Sequence, residues 1–278
     1  MVALGISLWT ASAGAEEIQG TDPASPGHWQ VEQRFGYFST FDPAAPGTAA
    51  ASASHRALTG ETEFSYSPTE WYEIALTTPY AFARDSTSRS EGTTVPNYAV
   101  QSGGFTFKQT FIQVDREERT VFFGLVARAM IMPPGTMAPD FWVPNTNRIG
   151  GAKAPQFIQD SNAHFGAMFT PIVGVHLPQD FEMIFNANVS FAVGAQGSAL
   201  EPSLRIVKRL SDTLDVGIEH FANLGPIGQV LPLNQQTQTL YAVADTKFKG
   251  FEFSFGVGYG LTAASKGPAL KLTVGKDF

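Results

Sequence analysis

The sequence predicts an all-β fold, a transmembrane antiparallel up-and-down β-barrel of about 12 strands, on three observations. From Gly27 onward the chain divides into strand-length stretches separated by turn residues, with apolar and polar side chains alternating along them. Most stretches exceed about ten residues, whereas strands of soluble domains cluster near about five or six and a tilted membrane strand needs roughly 9 to 11. Their connections are sorted by size, as in barrels with short periplasmic turns and long external loops. No apolar run near about 18 residues occurs, so a helical span is excluded and strands must make any crossing.

Taken in order, Val2 to Ala15 is apolar and ends Ala13-Gly14-Ala15, which reads as a signal-peptide remnant (1-15) cleaved after Ala15, without a positive n-region. Residues 16-26 follow as a periplasmic N-terminal segment, and 27-278 form the barrel. Strands are expected at 28-39, 55-66, 71-83, 98-114, 119-132, 162-177, 181-194, 200-210, 214-224, 236-248, 251-262 and 269-278. Ser67-Pro68-Thr69, Asp115 to Glu118, Pro178-Gln179-Asp180, Ser211-Asp212-Thr213 and Lys249-Gly250 supply the short turns. Between them lie Phe41 to Ser54, Asp85 to Asn97, Pro133 to Ser161, Gly225 to Gln235 and Ala263 to Pro268, rich in Pro, Gly, Ser and Ala; only Ala195 to Ala199 is brief. An even strand number returns both termini to the short-turn side.

Phase is clearest along Asn162 to Leu177 and Phe181 to Gly194, either side of the third short turn. With Pro178 to Asp180 as a three-residue turn, Leu177 faces Phe181 outward and His176 faces Glu182 inward. With Ser211 to Thr213 as the turn, Leu210 faces Leu214 outward, Arg209 faces Asp215 and Arg205 faces Glu219 inward, giving opposite-charge cross-strand pairs. An ion-paired interior follows, with Glu61, Glu63, Glu73, Arg128, Glu252 and Lys271 contributing. Trp29, Tyr66, Trp71, Tyr72, Phe181, Phe248, Phe251 and Phe278 fall at the short-turn ends, where an interfacial girdle places amphipathic rings.

Composition removes several function classes. Cysteine is absent, which excludes disulfides, thiolate metal sites and thiol nucleophiles, and suits passage through an oxidising periplasm. A net charge of -7 without a Lys/Arg run argues against a nucleic-acid partner. Nucleophile-elbow, phosphate-loop and zincin signatures are missing, and no cofactor is expected. Among the five histidines, His164 and His176 share the interior face, but at roughly 3.3 Å per residue they lie at opposite mouths and cannot share a metal ion. His220 is expected to face lipid, where Asn223 or Ser203 could neighbour it in a lipid hydrolase. Gly256-x-Gly258-x-Gly260 lies within a strand and reads as room in a crowded lumen. The Pro133 to Ser161 loop carries Phe141, Trp142, Arg148, Lys153 and Phe157, rings and cations suited to constricting a pore.

The tail A-L-K-L-T-V-G-K-D-F at 269 to 278 resembles the C-terminal assembly signal of bacterial outer-membrane barrels, with Phe278 last and Lys276 at a position often aromatic. The stretches I-E-H-F-A-N-L-G-P-I at 218 to 227, Q-T-L-Y-A-V-A-D at 238 to 245 and G-V-G-Y-G-L-T at 256 to 262, with G-T-D-P-x-x-P-G-x-W at 20 to 29, resemble a family of outer-membrane barrels loosely grouped as transporters of the MetA-type phenol-degradation group. That resemblance implies a bacterial outer-membrane protein, exported through the periplasm, with outer-membrane lipids and the barrel-insertion machinery as partners. The expected function is a non-enzymatic channel or transporter for small, aromatic or hydrophobic molecules, working by passive diffusion gated by the 133-161 loop. A lipid hydrolase and a structural barrel without transport are the alternatives.

Overall fold

The computed structural model of the chain describes residues 18, 26–42, 53–88, 94–102, 105–113, 119–131, 165–193 and 197–278. Their strands are β1 (Trp29–Asp42), β2 (Ala53–Thr69), β3 (Tyr72–Ser88), β4 (Thr94–Ser102), β5 (Phe105–Ile112), β6 (Val121–Ile131) and β7 (Phe165–Leu177). β8 (Phe181–Val193), β9 (Gly197–Ser211), β10 (Leu214–Asn223), β11 (Thr237–Phe248), β12 (Phe251–Gly260) and β13 (Pro268–Asp277) follow. Every pairing is antiparallel; all join strands consecutive in the chain except β3–β5 and the closing pair β1–β13, which with β1–β2 and β2–β3 closes the sheet. Closure pairs the strands around the ring edge to edge, which spanning a bilayer requires.

The thirteen strands occupy twelve positions, because β4 and β5 share one neighbour, β3. Tyr80 faces Ser102 and Thr77 faces Thr106, so three steps on β3 match four on the partner. Across that one-residue offset, the stretch expected as one strand over 98-114 is described as two, β4 and β5. The other eleven expected strands agree within a few residues at their ends. Ends join where Phe278 N donates to Trp29 O at 2.8 Å and Trp29 N to Phe278 O at 3.3 Å.

Strand alternation sorts side chains between two environments. Phe105, Phe123, Phe169, Phe185, Ile218 and Phe255 stand outward and exposed on successive parts of the ring, while Arg34, Glu63, Lys108, Thr170, Asn186 and Glu219 are buried inside. An apolar exterior around a polar interior is the reverse of a soluble domain and fits a lipid surround. At the short-turn rim the rings pair, Trp29 with Tyr66 at 4.8 Å and Tyr72 with Phe111 at 5.1 Å. Lys276 lies over the rings of Phe251 and Phe278, at 4.8 Å and 5.2 Å. A cation capping two aromatics thus occupies the atypical position in the tail.

One register expectation is corrected. Leu214 faces Ser211 rather than Leu210, and the register shifts between Leu214 and Asp215. β9 runs one residue further than expected, tightening the turn, and the bulge restores the phase that sets Arg209 opposite Asp215 and Arg205 opposite Glu219. The Pro178 to Asp180 turn uses left-handed Gln179 and Asp180, at φ of 66° and 62°, and keeps Leu177 opposite Phe181 and His176 opposite Glu182.

Candidate functional site

The lumen has walls of three kinds. On β1, β2, β3 and β5, Arg34 pairs with Glu32, Glu61 and, at 3.1 Å, Glu63, while Lys108 reaches Glu63 and, at 3.4 Å, Glu73. Across the barrel Arg205 of β9 bridges Glu219 of β10, at 2.6 Å, and Asp245 of β11, and Lys271 of β13 holds the second oxygen of Glu219. These groups are largely buried, so each charge depends on its partners for the solvation it has lost.

The third wall is apolar. Phe122 and Val126 of β6, Ile172 of β7 and Ile184 of β8 form a buried cluster, and Ile18 from the N-terminal segment is packed into it. Residues 16-26 were expected as a periplasmic segment, yet Ile18 stands inside the lumen and is only 6% exposed. A second cluster joins Phe38, Val207, Tyr241, Val243 and Ala269.

Phe221 connects the two, packing against both clusters. Lys271 Nζ lies 5.2 Å from the Phe221 ring centre and 5.6 Å from that of Tyr241, so an ammonium already paired with Glu219 also meets two ring faces. β12 makes space for this group through glycine. A Cβ on Gly256 would lie 2.8 Å from Lys271 Cγ, and one on Gly258 2.5 Å from Tyr241 Cδ1. A cavity of about 800 Å³ is lined by short-turn residues such as Thr120, Gln179 and Asp180 and extends to Lys108, Glu219 and Lys271. It therefore lies toward the short-turn mouth and reaches inward as far as Glu219 and Lys271, the neighbours of Phe221.

The residues singled out in the sequence take different places. Arg205 and Glu219 join a buried network, whereas Arg209, 71% exposed, stands 3.9 Å from Asp215 at the rim. His176 Nε2 is 3.1 Å from Glu182 and its Nδ1 is 2.8 Å from the Arg119 carbonyl, also near the rim. Phe141, Trp142, Arg148, Lys153 and Phe157 lie outside the described residues. His220 stands between Leu204 and Leu240 on the outward face, while Ser203 and Asn223 are buried inside. Asn223 donates to Glu201 at 2.7 Å and accepts from Gly225 N at 2.9 Å, so these residues form no hydrolytic constellation. Among the described residues no group of His, Asp and Glu is placed to hold a metal ion.

Arg34, Lys108, Asp245 and Phe221 were missed. Alternation could have found the first two: Glu32, Arg34, Gly36 and Phe38 share one phase, as do Thr106, Lys108 and Thr110. The outward glutamines Gln33 and Gln109 blur those phases. Gln33 is accommodated on the outer surface by its neighbours, donating to Tyr80 Oη at 3.0 Å and accepting from Thr62 at 2.6 Å.

No family model matches the chain, and no curated protein matches its sequence. By fold it is similar to the COG4313 outer membrane channel from Pseudomonas putida F1, with 12% identity, a TM-score of 0.62 and coverage of 94% of this chain and 100% of that chain. The chain has the outer-membrane β-barrel fold. It is also similar to the translocator domain of the autotransporter NalP from Neisseria meningitidis, at 12% identity and a TM-score of 0.50, covering 93% of this chain and 91% of that one. At such identities the likeness is one of architecture.

Proposed function

We propose that the chain is an outer-membrane channel passing small, predominantly neutral molecules, aromatic and hydrophobic ones included, by passive diffusion. The observation that carries this reading is a closed barrel holding a cavity of about 800 Å³ whose lining charges are mutually paired, with Phe221 packed beside its inner end against Lys271. Paired charges attract no single sign of ion, and Ile18, Ile112, Ile184 and Val207 along the cavity offer contact to a ring or short aliphatic body. The fold match to a protein described as an outer membrane channel supports the same reading.

Passage is limited by the strand-borne ring of Phe221 and by Ile18 beneath it. The 133-161 loop, with Phe141, Trp142, Arg148, Lys153 and Phe157, is assigned to gating at the external mouth. Export through the periplasm and insertion by the barrel-assembly machinery, with Phe278 read as the terminal signal, complete the proposal. The test is solute flux into proteoliposomes together with conductance in planar bilayers. A small aromatic alcohol should enter faster than an ion of similar size, and Phe221→Ala should increase entry. A barrel that is inserted yet passes no solute in either form would instead be a structural barrel.

A further inference from the structure

We propose that the external surface built from residues 224–236 and Leu261 is seated among the acyl chains of the outer leaflet, as a shelf extending the apolar band of the barrel on the β10–β12 side. The proposal rests on the outer-membrane reading and goes beyond it by assigning a lipid contact to a segment outside the strands. From Phe221 to Ala244 the sequence contains no charged residue and no histidine. Ile227, Val230, Leu233 and Leu261 are 48%, 63%, 64% and 57% exposed.

These side chains are held outward by a built loop. Leu231 is buried on Gly225, whose φ of +92° lets the chain turn there and whose missing Cβ would lie 2.4 Å from Leu231 Cγ. Leu231 N donates to Leu224 O at 2.8 Å, and Gln236 Nε2 donates to Leu231 O at 2.7 Å. Thr262 Oγ1 donates to Gln236 O at 2.5 Å, and Leu261 N to Gln238 O at 2.7 Å, tying the two loops together. With Leu231 fixed as the small core of the loop, Val230 and Leu233 cannot both turn inward.

Continuity identifies the occupant. Leu240 on β11 and Tyr259 on β12 are exposed on the outward face at this same end, and Leu261 continues their apolar column to the loop. A rigid apolar surface joined to a lipid-covered one is satisfied by more of the same lipid; the segment carries no charge, and its exposed Gln229 and Asn234 set it at the headgroup edge of the acyl region rather than at its centre.

Because the chain has no cysteine, single nitroxide labels can report on each position without background. Val230→Cys, Leu233→Cys and Ile227→Cys would be labelled in dioleoylphosphatidylcholine vesicles, with Leu240→Cys as the lipid reference and Lys249→Cys as the water reference. Heat-modifiable migration would verify the fold of each variant. The expected result is a ratio of oxygen to nickel-chelate collision close to that at Leu240 and several-fold above that at Lys249. Ratios matching Lys249 at Val230 and Leu233, with Leu240 reading as lipid, would overturn the shelf alone. A water-like Leu240 would overturn the membrane-barrel reading beneath it. Labels that become immobilised only when an apolar solute is added would assign the surface to solute capture and overturn the proposal too.

Discussion

Phe221 stands edge-on to Tyr241, with ring centres 5.8 Å apart and planes at 87°. This favourable ring geometry fixes Phe221 where it contacts both apolar clusters of the lumen. Removing it should open space between the two clusters at the inner end of the cavity. Phe221→Ala is expected to raise single-channel conductance several-fold. Because the side chain is only partly buried, its stability cost should fall below the roughly 3–5 kcal/mol of a fully buried Phe→Ala change. Unaltered conductance in an inserted barrel would place the limiting constriction elsewhere.

Lys271 and Glu219 present the opposite case, since removing Lys271 takes one of two cations from a buried carboxylate. Lys271→Met should destabilise the barrel by roughly 3–5 kcal/mol, read as a lower urea midpoint in detergent micelles. Adding Glu219→Leu should recover part of that loss by removing a buried carboxylate left with Arg205 alone. A double variant worse than the sum of the singles would show that Arg205 needs Glu219 more than Glu219 needs Lys271.

The two arginines of β9 looked equivalent in sequence, four residues apart on the inward phase, yet they should behave differently. Arg205 bridges Glu219 and Asp245, whereas Arg209 is 71% exposed and 3.9 Å from Asp215. Arg209→Ala should change stability by less than about 1 kcal/mol, as for exposed pairs. Arg205→Ala should cost several times more and weaken inter-strand order. Equal urea midpoints for the two variants would contradict this ranking.

This pair also shows what the sequence could convey. Strand phase and turn length placed both arginines opposite carboxylates, because cross-strand register is a local, period-two property. Asp245 was invisible as Arg205's second partner: β11 is a further strand away, and only the tilt and curvature of the closed sheet bring its side chain to the same point. Phe221 escaped notice because it sits in an alternating strand as one more aromatic, and only closure places it against β6, β7 and β8. Ile18 had no local signal at all, since an apolar residue in a short polar segment gains its role from the lumen it enters. The one-residue offset between β4 and β5 along β3 was equally silent.

Ile18 offers a separate way to open the channel. It packs against Phe122, Val126, Ile172 and Ile184 by apolar contact. Ile18→Asp would place a carboxylate on that wall and should favour its departure from the lumen. Conductance should rise, with heat-modifiable migration unchanged because the barrel strands are untouched. Combining Ile18→Asp with Phe221→Ala should give more than either alone if the two narrow the same path in series.

The glycines of β12 provide the converse test, narrowing the lumen rather than widening it. A Cβ at Gly258 would lie 2.5 Å from Tyr241 Cδ1 and 2.8 Å from Leu240 O. The ring can rotate away, but the backbone oxygen belongs to the sheet and cannot yield without disturbing a ladder. Gly258→Ala should therefore destabilise by about 1–3 kcal/mol, the range for overpacking, and press Tyr241 toward Phe221, lowering conductance. Gly275, also facing inward on the adjacent β13, supplies the control: a Cβ there would meet nothing nearer than 3.8 Å. Gly275→Ala should leave conductance unchanged and stability equal or slightly higher, since alanine restricts the unfolded chain more than glycine. If both variants behave alike in urea and in the bilayer, Gly258 is a passive spacer and the Tyr241 ring has room the geometry denies it.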